Sequence, residues 1–267
     1  METGAPIGVF DSGVGGLTVL EALRSALPSE RFLYLGDTAR LPYGTKSRET
    51  VRQYALNAAA HLVARGVKLL VVACNTASSY ALDAIAAAVD VPVIGVVEPG
   101  VEAALATGAR RIAVAGTEGT VASGAYQRAL AAAAPEAEVR AVACPLFVAL
   151  AEEGWGDHPV TEAVAREYLG PVLDWGAEAI ILGCTHYPLL LPALSRVVGD
   201  GVRLVDSASA VAAAVGRVAF PRSRGGDGGV HLMLTDGSDH FLRVARAILG
   251  GPPPSLELVH LGNGAVS

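Results

Sequence analysis

Short apolar runs alternate along the whole chain with longer, alanine-rich amphipathic segments, and no other feature restricts the possible folds as much. The strand-sized runs are 7–10, 32–35, 69–73, 93–96, 112–115, 138–143, 179–182, 202–205 and 231–234. Between 50 and 64, apolar residues fall at Val51, Tyr54, Ala55, Ala58 and Leu62, a helical spacing, and Gly66 supplies a stop. The segment 160–175 reads the same way, with Pro159 at its start and Gly176 past its end. Strands that alternate with helices predict mostly parallel sheets covered on both faces, an α/β protein.

The composition fits buried strands: 52% of the 267 residues are hydrophobic and 17% charged. Mean hydropathy is +0.44. Even so, the apolar runs, such as 69–74 and 141–151, are too short to cross a bilayer, so no membrane partner is expected. The same composition excludes intrinsic disorder. A net charge of −6, with no basic run, gives no reason to expect nucleic acid as a partner. Met1-Glu2-Thr3 leads almost directly into the first strand and carries no secretory signal. Cys74, Cys144 and Cys184 are odd in number and far apart, so the expected compartment is a reducing cytoplasm without a disulfide framework.

The chain also repeats itself. Ile7-Gly8-Val9-Phe10-Asp11-Ser12 has a counterpart in Ile112-Ala113-Val114-Ala115-Gly116-Thr117, 105 residues on. Leu70-Val71-Val72-Ala73-Cys74-Asn75-Thr76 is echoed 110 residues on by Ile180-Ile181-Leu182-Gly183-Cys184-Thr185-His186. This pattern reads as a duplicated α/β unit, giving two similar domains that face each other, each with one cysteine at the cleft. Breaks at Glu98-Pro99-Gly100 and Asp206-Ser207 set the expected boundaries. Residues 1–97 with 208–267 form one domain, and 98–207 form the other. The segment 221–229 reads as an exposed glycine-rich loop, and Gly250-Gly251-Pro252-Pro253-Pro254 ends the last helix and leaves a short tail.

Cys74 and Cys184 each end a strand, where ligands bind in a parallel sheet. A helix starting just beyond, near Thr76 to Ser78 for Cys74, is expected to draw the thiol toward neutrality as a competent base. Cys144, inside the apolar run 142–146, reads as core. Two thiols on opposite walls suit inversion of a carbon centre, one removing a proton while the other delivers one to the opposite face. A nucleophilic Cys184 with His186 is the main rival, and zinc held by Cys74, Cys184 and His186 is a weaker one, since no Cys-x-x-Cys pair exists. Asp11-Ser12-Gly13-Val14-Gly15-Gly16 is a strand-to-helix turn whose amides suit an anion, but it lacks the ending of a nucleotide P-loop. Pro42-Tyr43-Gly44 and Asn75-Thr76 add neutral donors. Glu152 and Glu153 read as the solvated start of a loop, with a cleft-facing carboxylate as the alternative.

These segments resemble the bacterial glutamate racemases of the aspartate/glutamate racemase superfamily. The matching runs are 10–19, 36–39 with 42–44, 73–78, 92–100, 182–190 and 204–208, in order over nearly the whole chain. Thr235-Asp236, Phe241 and Leu249-Gly250 extend the likeness. The resemblance implies cofactor-independent interconversion of L- and D-glutamate, supplying D-glutamate for peptidoglycan, in two α/β domains that enclose the substrate. It implies Cys74 as proton acceptor for D-glutamate, assisted by Asp11, and Cys184 for L-glutamate, assisted by His186. Glu152 is implied as an auxiliary acid, in a segment where Ala149 replaces the family's usual proline. Implied substrate contacts are Asp11, Ser12, Tyr43, Gly44, Asn75, Thr76, Thr185 and His186.

No metal is implied, and a homodimer is. With only six residues before the first strand, activation by a cell-wall precursor through an N-terminal extension is not expected. Pyridoxal phosphate would need a Schiff-base lysine, and Lys46 and Lys68 are the only lysines, neither in a convincing pocket context. A cysteine-dependent amidohydrolase and a non-enzymatic amino-acid binder are the other classes that would produce such a cleft.

Overall fold

The computed structural model describes residues 4–223, 228–252 and 255–262. Met1 to Thr3, the middle of the glycine-rich loop (224–227), Pro253, Pro254 and the tail from 263 lie outside the described residues. The chain begins β1 (Ile7–Asp11), α1 (Leu17–Ala26), β2 (Phe32–Gly36), α2 (Arg48–Ala64), β3 (Leu69–Val72), α3 (Asn75–Ala88) and β4 (Val93–Ile94). It continues with α4 (Val97–Leu105), β5 (Arg111–Gly116), α5 (Glu118–Ser123), α6 (Ala125–Ala133) and β6 (Glu138–Ala143). Then come α7 (Leu146–Glu152), α8 (Pro159–Asp174), β7 (Ala179–Gly183), α9 (Leu191–Val198) and β8 (Arg203–Asp206). Four elements close it: α10 (Ser207–Arg217), β9 (Val230–Leu234), α11 (Asp239–Leu249) and β10 (Leu256–Leu258).

The strands form two sheets, ordered β10-β9-β2-β1-β3-β4 and β6-β5-β7-β8. Every pairing is parallel. The middle of the first sheet runs β2-β1-β3-β4, the second β6-β5-β7-β8, so the same strand order occurs twice in succession. This is the duplication read from the sequence: Cys74 follows β3, and Cys184 follows the equivalent strand, β7.

Local chemistry sets the helices. Ser47 caps α2 by accepting from the Thr50 N–H, and Val51, Ala55, Ala58, Ala59 and Leu62 bury its inner stripe. Gly66, at φ 76°, turns the chain into β3. The strands' alternate side chains feed both faces of the first sheet: Ile7 and Val9 join Leu20 and Val211 on one side, while Phe10 joins Val72 and Ala55 on the other. Lys68 precedes β3, at the end of the sheet remote from the strand C-termini. Fully buried there, it donates to Glu30 at 2.6 Å. Among the described residues no helix is long and apolar enough to cross a membrane.

Three expectations need correction. Glu98-Pro99-Gly100 lies where the chain leaves the first sheet, but it does not interrupt regular structure: it is in the first turn of α4, where a missing proline N–H leaves no helical bond unmade. After Gly250-Gly251-Pro252 the chain adds β10, an edge strand paired with β9, rather than a structureless tail. Glu152 is the last residue of α7, and Glu153 its C-cap, rather than the start of a loop.

Candidate active site

Both cysteines lie at strand C-termini and are nearly buried, each 5% exposed. Their surroundings differ. Cys74 is the N-cap of the 14-residue α3 and accepts from the Ala77 N–H at 3.5 Å. Its thiol donates to Ser12 Oγ at 3.6 Å. Asp11, the last residue of β1 and fully buried, accepts from the Gly13 N–H at 2.9 Å and from Thr185 Oγ1 at 3.4 Å. Burial pushes the Asp11 carboxyl up, against the nearby His186 charge and the backbone bonds that favour its ionised form.

The helix N-terminus does not draw Cys74 toward neutrality, as the sequence reading expected. Burial, with the Asp11 charge behind it, pushes the thiol up to about 12, overriding the Ala77 and Ser12 hydrogen bonds. At neutral pH Cys74 is therefore a thiol, suited to giving a proton away.

Cys184 is followed by a 3-10 turn, Tyr187–Leu190, before α9 begins, so it lacks the α-helix that starts beside Cys74. An imidazole takes the helix's place. His186 Nδ1 lies 3.7 Å from Cys184 Sγ, and its Nε2 lies 3.0 Å from Glu152 Oε1. Burial works against charging the ring. Hydrogen bonds to Cys184 and Glu152, with the negative charges of Cys184 and Asp11, outweigh it and push His186 up to about 10. The ring sits where it can exchange a proton with the Cys184 sulfur.

Glycines permit these approaches. A Cβ on Gly15 would sit 2.5 Å from both His186 Nδ1 and Thr185 Oγ1, and one on Gly16 would sit 2.3 Å from Asp11 Cβ. Thr18 Oγ1 donates to the Thr185 carbonyl at 3.0 Å, another contact from the first sheet's side to the second's.

The two sides also meet at α3. Asn75 Nδ2 donates to Tyr126 OH at 2.8 Å and to Ser207 Oγ at 3.1 Å, while its buried Oδ1 has no partner. Thr76 Oγ1 bonds Thr117 Oγ1 at 3.0 Å and Thr120 Oγ1 at 3.2 Å. The N–H groups of Asn75 and Thr76, in the first turn of α3, have no intrahelical acceptor. A cavity of about 280 Å³ is lined by Ser12, Gly44, Thr117, Glu152 and His186 among others, with Thr117 its link to Thr76. Tyr43 stands apart: its ring is buried and its hydroxyl donates to Asp37, so its Pro42 and Gly44 neighbours line the cavity instead. Among the described residues, no group of three or more His, Cys, Asp or Glu side chains is arranged to hold a metal ion.

Sequence reasoning missed Thr117, Tyr126, Ser207 and His240, whose Nε2 lies 3.0 Å from Glu152 Oε2. Thr117 was within reach, because the internal repeat aligns it with Ser12. Tyr126, Ser207 and His240 meet their partners only through the fold.

A glutamate racemase of Geobacter metallireducens is 50% identical to this chain, covering 92% of it and 93% of the relative. The crystal structure of glutamate racemase from Francisella tularensis in complex with D-glutamate matches with a TM-score of 0.90 and 35% identity, covering 97% of this chain and 99% of the other. That of the Escherichia coli glutamate racemase in complex with L-glutamate and the activator UDP-MurNAc-ala matches with a TM-score of 0.78 and 30% identity, covering 96% and 99%. The family profile described as Asp/Glu/Hydantoin racemase covers residues 8–215, both cysteines included, and the chain belongs to that family.

Proposed function

We propose that this chain interconverts L- and D-glutamate by a two-base mechanism, with Cys184 as proton acceptor for L-glutamate and Cys74 for D-glutamate. The observation that carries this reading is the pair of buried thiols at equivalent strand ends, one beside a carboxylate and the other beside an imidazolium. Turnover of L-glutamate starts from the state that carries a proton on Cys74 and none on Cys184. With L-glutamate bound, Cys184 takes the α-proton, and the carbanion's electron pair takes the Cys74 proton on the opposite face. The product is D-glutamate, with Cys74 now thiolate and Cys184 now thiol. Reaction of D-glutamate runs the same transfers backward, and repeated turnover in one direction requires proton exchange with water between cycles.

The α-proton is weakly acidic, and the site's dipoles lower the barrier to its removal. The first-turn amides of α3, Asn75 and Thr76, with Ser12 and Thr185, bind the substrate carboxylate. Gly44 and the Tyr43 backbone hold the far end of the substrate. The orphaned Asn75 Oδ1 accepts from its ammonium group. Asp11 assists Cys74, His186 assists Cys184, and Glu152 holds the His186 ring. Of the two lysines, Lys68 is committed to Glu30 at the far end of the sheet, which supports chemistry without a Schiff base.

The lobes that close on the substrate are residues 1–97 with 208–267, and 98–207. The enzyme works as a homodimer in the cytoplasm, where its three free cysteines stay reduced, and supplies D-glutamate to peptidoglycan assembly.

The test is incubation of the purified protein with L-glutamate in D2O, following chirality and α-deuteration, beside Cys74→Ala and Cys184→Ala. D-glutamate carrying α-deuterium, lost in either variant, is the expected result. Exchange with aspartate in place of glutamate would move the substrate and keep the mechanism. No exchange with either would overturn the reading and return attention to a cysteine-dependent amidohydrolase, in which loss of Cys74 and loss of Cys184 would have very different effects, or to an amino-acid binder.

A further inference from the structure

Glu152 serves more than His186. It ends α7, where the helix dipole disfavours a carboxylate, and its side chain is 23% exposed, so nothing intrinsic holds it in one rotamer. Its Oε1 meets His186 Nε2 at 3.0 Å, and its Oε2 meets His240 Nε2 at 3.0 Å. His240 comes from α11, a helix built on the first sheet: Phe241, Val244 and Ala245 bury its inner face in that sheet's core, and Ser238 caps its start. The bond to Glu152 therefore joins a helix of the first sheet to a helix of the second.

Arg243, three residues on and on the same face of α11, places a guanidinium nitrogen 2.8 Å from His240 Nδ1. A guanidinium has donors only, so Nδ1 must accept. That leaves the ring proton on Nε2, which donates to Glu152. Both carboxylate oxygens are then fixed by N–H donors, one from each side of the cleft.

We propose that His240, held in this tautomer by Arg243, is a positioning residue for Cys184: it pins the outer oxygen of Glu152 so that the inner oxygen keeps the His186 ring turned toward the Cys184 sulfur. The proposal rests on the reading in which Cys184 is an acid/base group. His240 does not line the cavity beside Ser12 and Gly44, so it acts through Glu152 and not on the substrate.

The test measures kcat and KM for both enantiomers in wild type, His240→Leu, His240→Gln, Glu152→Gln and the double variant His240→Leu/Glu152→Gln. Loss of one hydrogen bond to a charged group predicts a kcat about tenfold lower in His240→Leu, with KM within about twofold. Gln places an amide N–H near the position of Nε2 and a carbonyl toward Arg243, so His240→Gln should recover most of the loss. In the Glu152→Gln background, His240→Leu should add nothing. A wild-type kcat in His240→Leu, an additive loss in the double variant, or no recovery by Gln would each overturn the proposal.

Alkylation of each cysteine by iodoacetamide, mapped by mass spectrometry, needs no turnover. It should slow several-fold at Cys184 in His240→Leu, recover in His240→Gln and leave Cys74 unchanged. If the wild type fails to racemise glutamate, the functional reading falls while this measurement still decides the role of His240. Equal Cys184 rates in wild type and His240→Leu would sink it.

Discussion

The Cys74 and Cys184 walls occupy equivalent places in two sheets of the same strand order, yet they are equipped differently. Cys74 caps an α-helix, sits beside a buried carboxylate, and has its thiol pushed up to about 12. Cys184 precedes only a 3-10 turn, and its neighbour is an imidazole held by a glutamate. The backbone repeat supplies two thiols at equivalent strand ends. The unlike neighbours then give the two thiols different settings, as the proposed donor–acceptor pair needs. Two identical walls would give the proposed reaction no distinction between donor and acceptor.

The largest way to break this contrast is His186→Asn. It removes the imidazolium, and kcat should fall about 10²-fold, while iodoacetamide labelling slows at Cys184 and stays unchanged at Cys74. Labelling that slows equally at both would mean the walls are not independent. The charged ring also bears on stability. Because His186 is pushed up to about 10, its contribution is complete below the unfolded value near 6.5 and declines as pH rises toward 10. Urea unfolding of His186→Asn should lose that decline.

Gly15→Ala comes next, since the added methyl collides with His186 and Thr185. A stability loss of about 1–3 kcal/mol in denaturant unfolding, with a raised KM, is expected. Unchanged values would mean that the two sides do not close as tightly as described. Asp11→Asn acts on the other wall. Without the carboxylate charge, the Cys74 thiol should ionise at lower pH in an alkylation titration, with Cys184 unmoved. The folded chain holds the Asp11 proton more tightly than the unfolded chain does. Its contribution therefore favours folding at low pH and turns against it as pH rises through the carboxylate range. Asp11→Asn should accordingly be more stable than wild type at pH 8, with a smaller gain at pH 5, at the expense of activity. A destabilised variant at pH 8 would contradict this. Ser207→Ala is the smallest change. It frees one Asn75 amide hydrogen and should raise KM only a few-fold, with about 1 kcal/mol lost; an unaltered KM would remove Ser207 from the support of Asn75.

Strands flanked by glycine and buried on both faces were legible in the sequence because period and punctuation agree there, as at Ile7–Asp11 and Ala179–Gly183. Leu256–Leu258 was not, because a three-residue edge strand with half-exposed side chains has no such pattern. Pro99 misled because proline ends helices in their interiors and is tolerated in the first turn. The cysteines, Asp11 and His186 stood out because each lies at or just past the C-terminal end of a strand. The sign of the Cys74 shift did not, since it depends on burial and on Asp11, 63 residues earlier. His240 lies 88 residues from Glu152, and only packing of α11 brings them together.

The chain passes between the sheets twice, once after β4 and once after β8, and the helices that begin at those passages, α4 and α10, pack against each other. Arg217 and Glu102 tie them at the surface. Two crossings side by side behave as a door hung on two leaves. They permit swing about one line and resist torsion and sliding. If the proposed lobes part to admit substrate or release product, two adjacent crossings would hold the sulfurs to one arc and return them to the same opposition. A single linker would leave one lobe free to rotate against the other, at the expense of the alignment on which the proposed inversion depends.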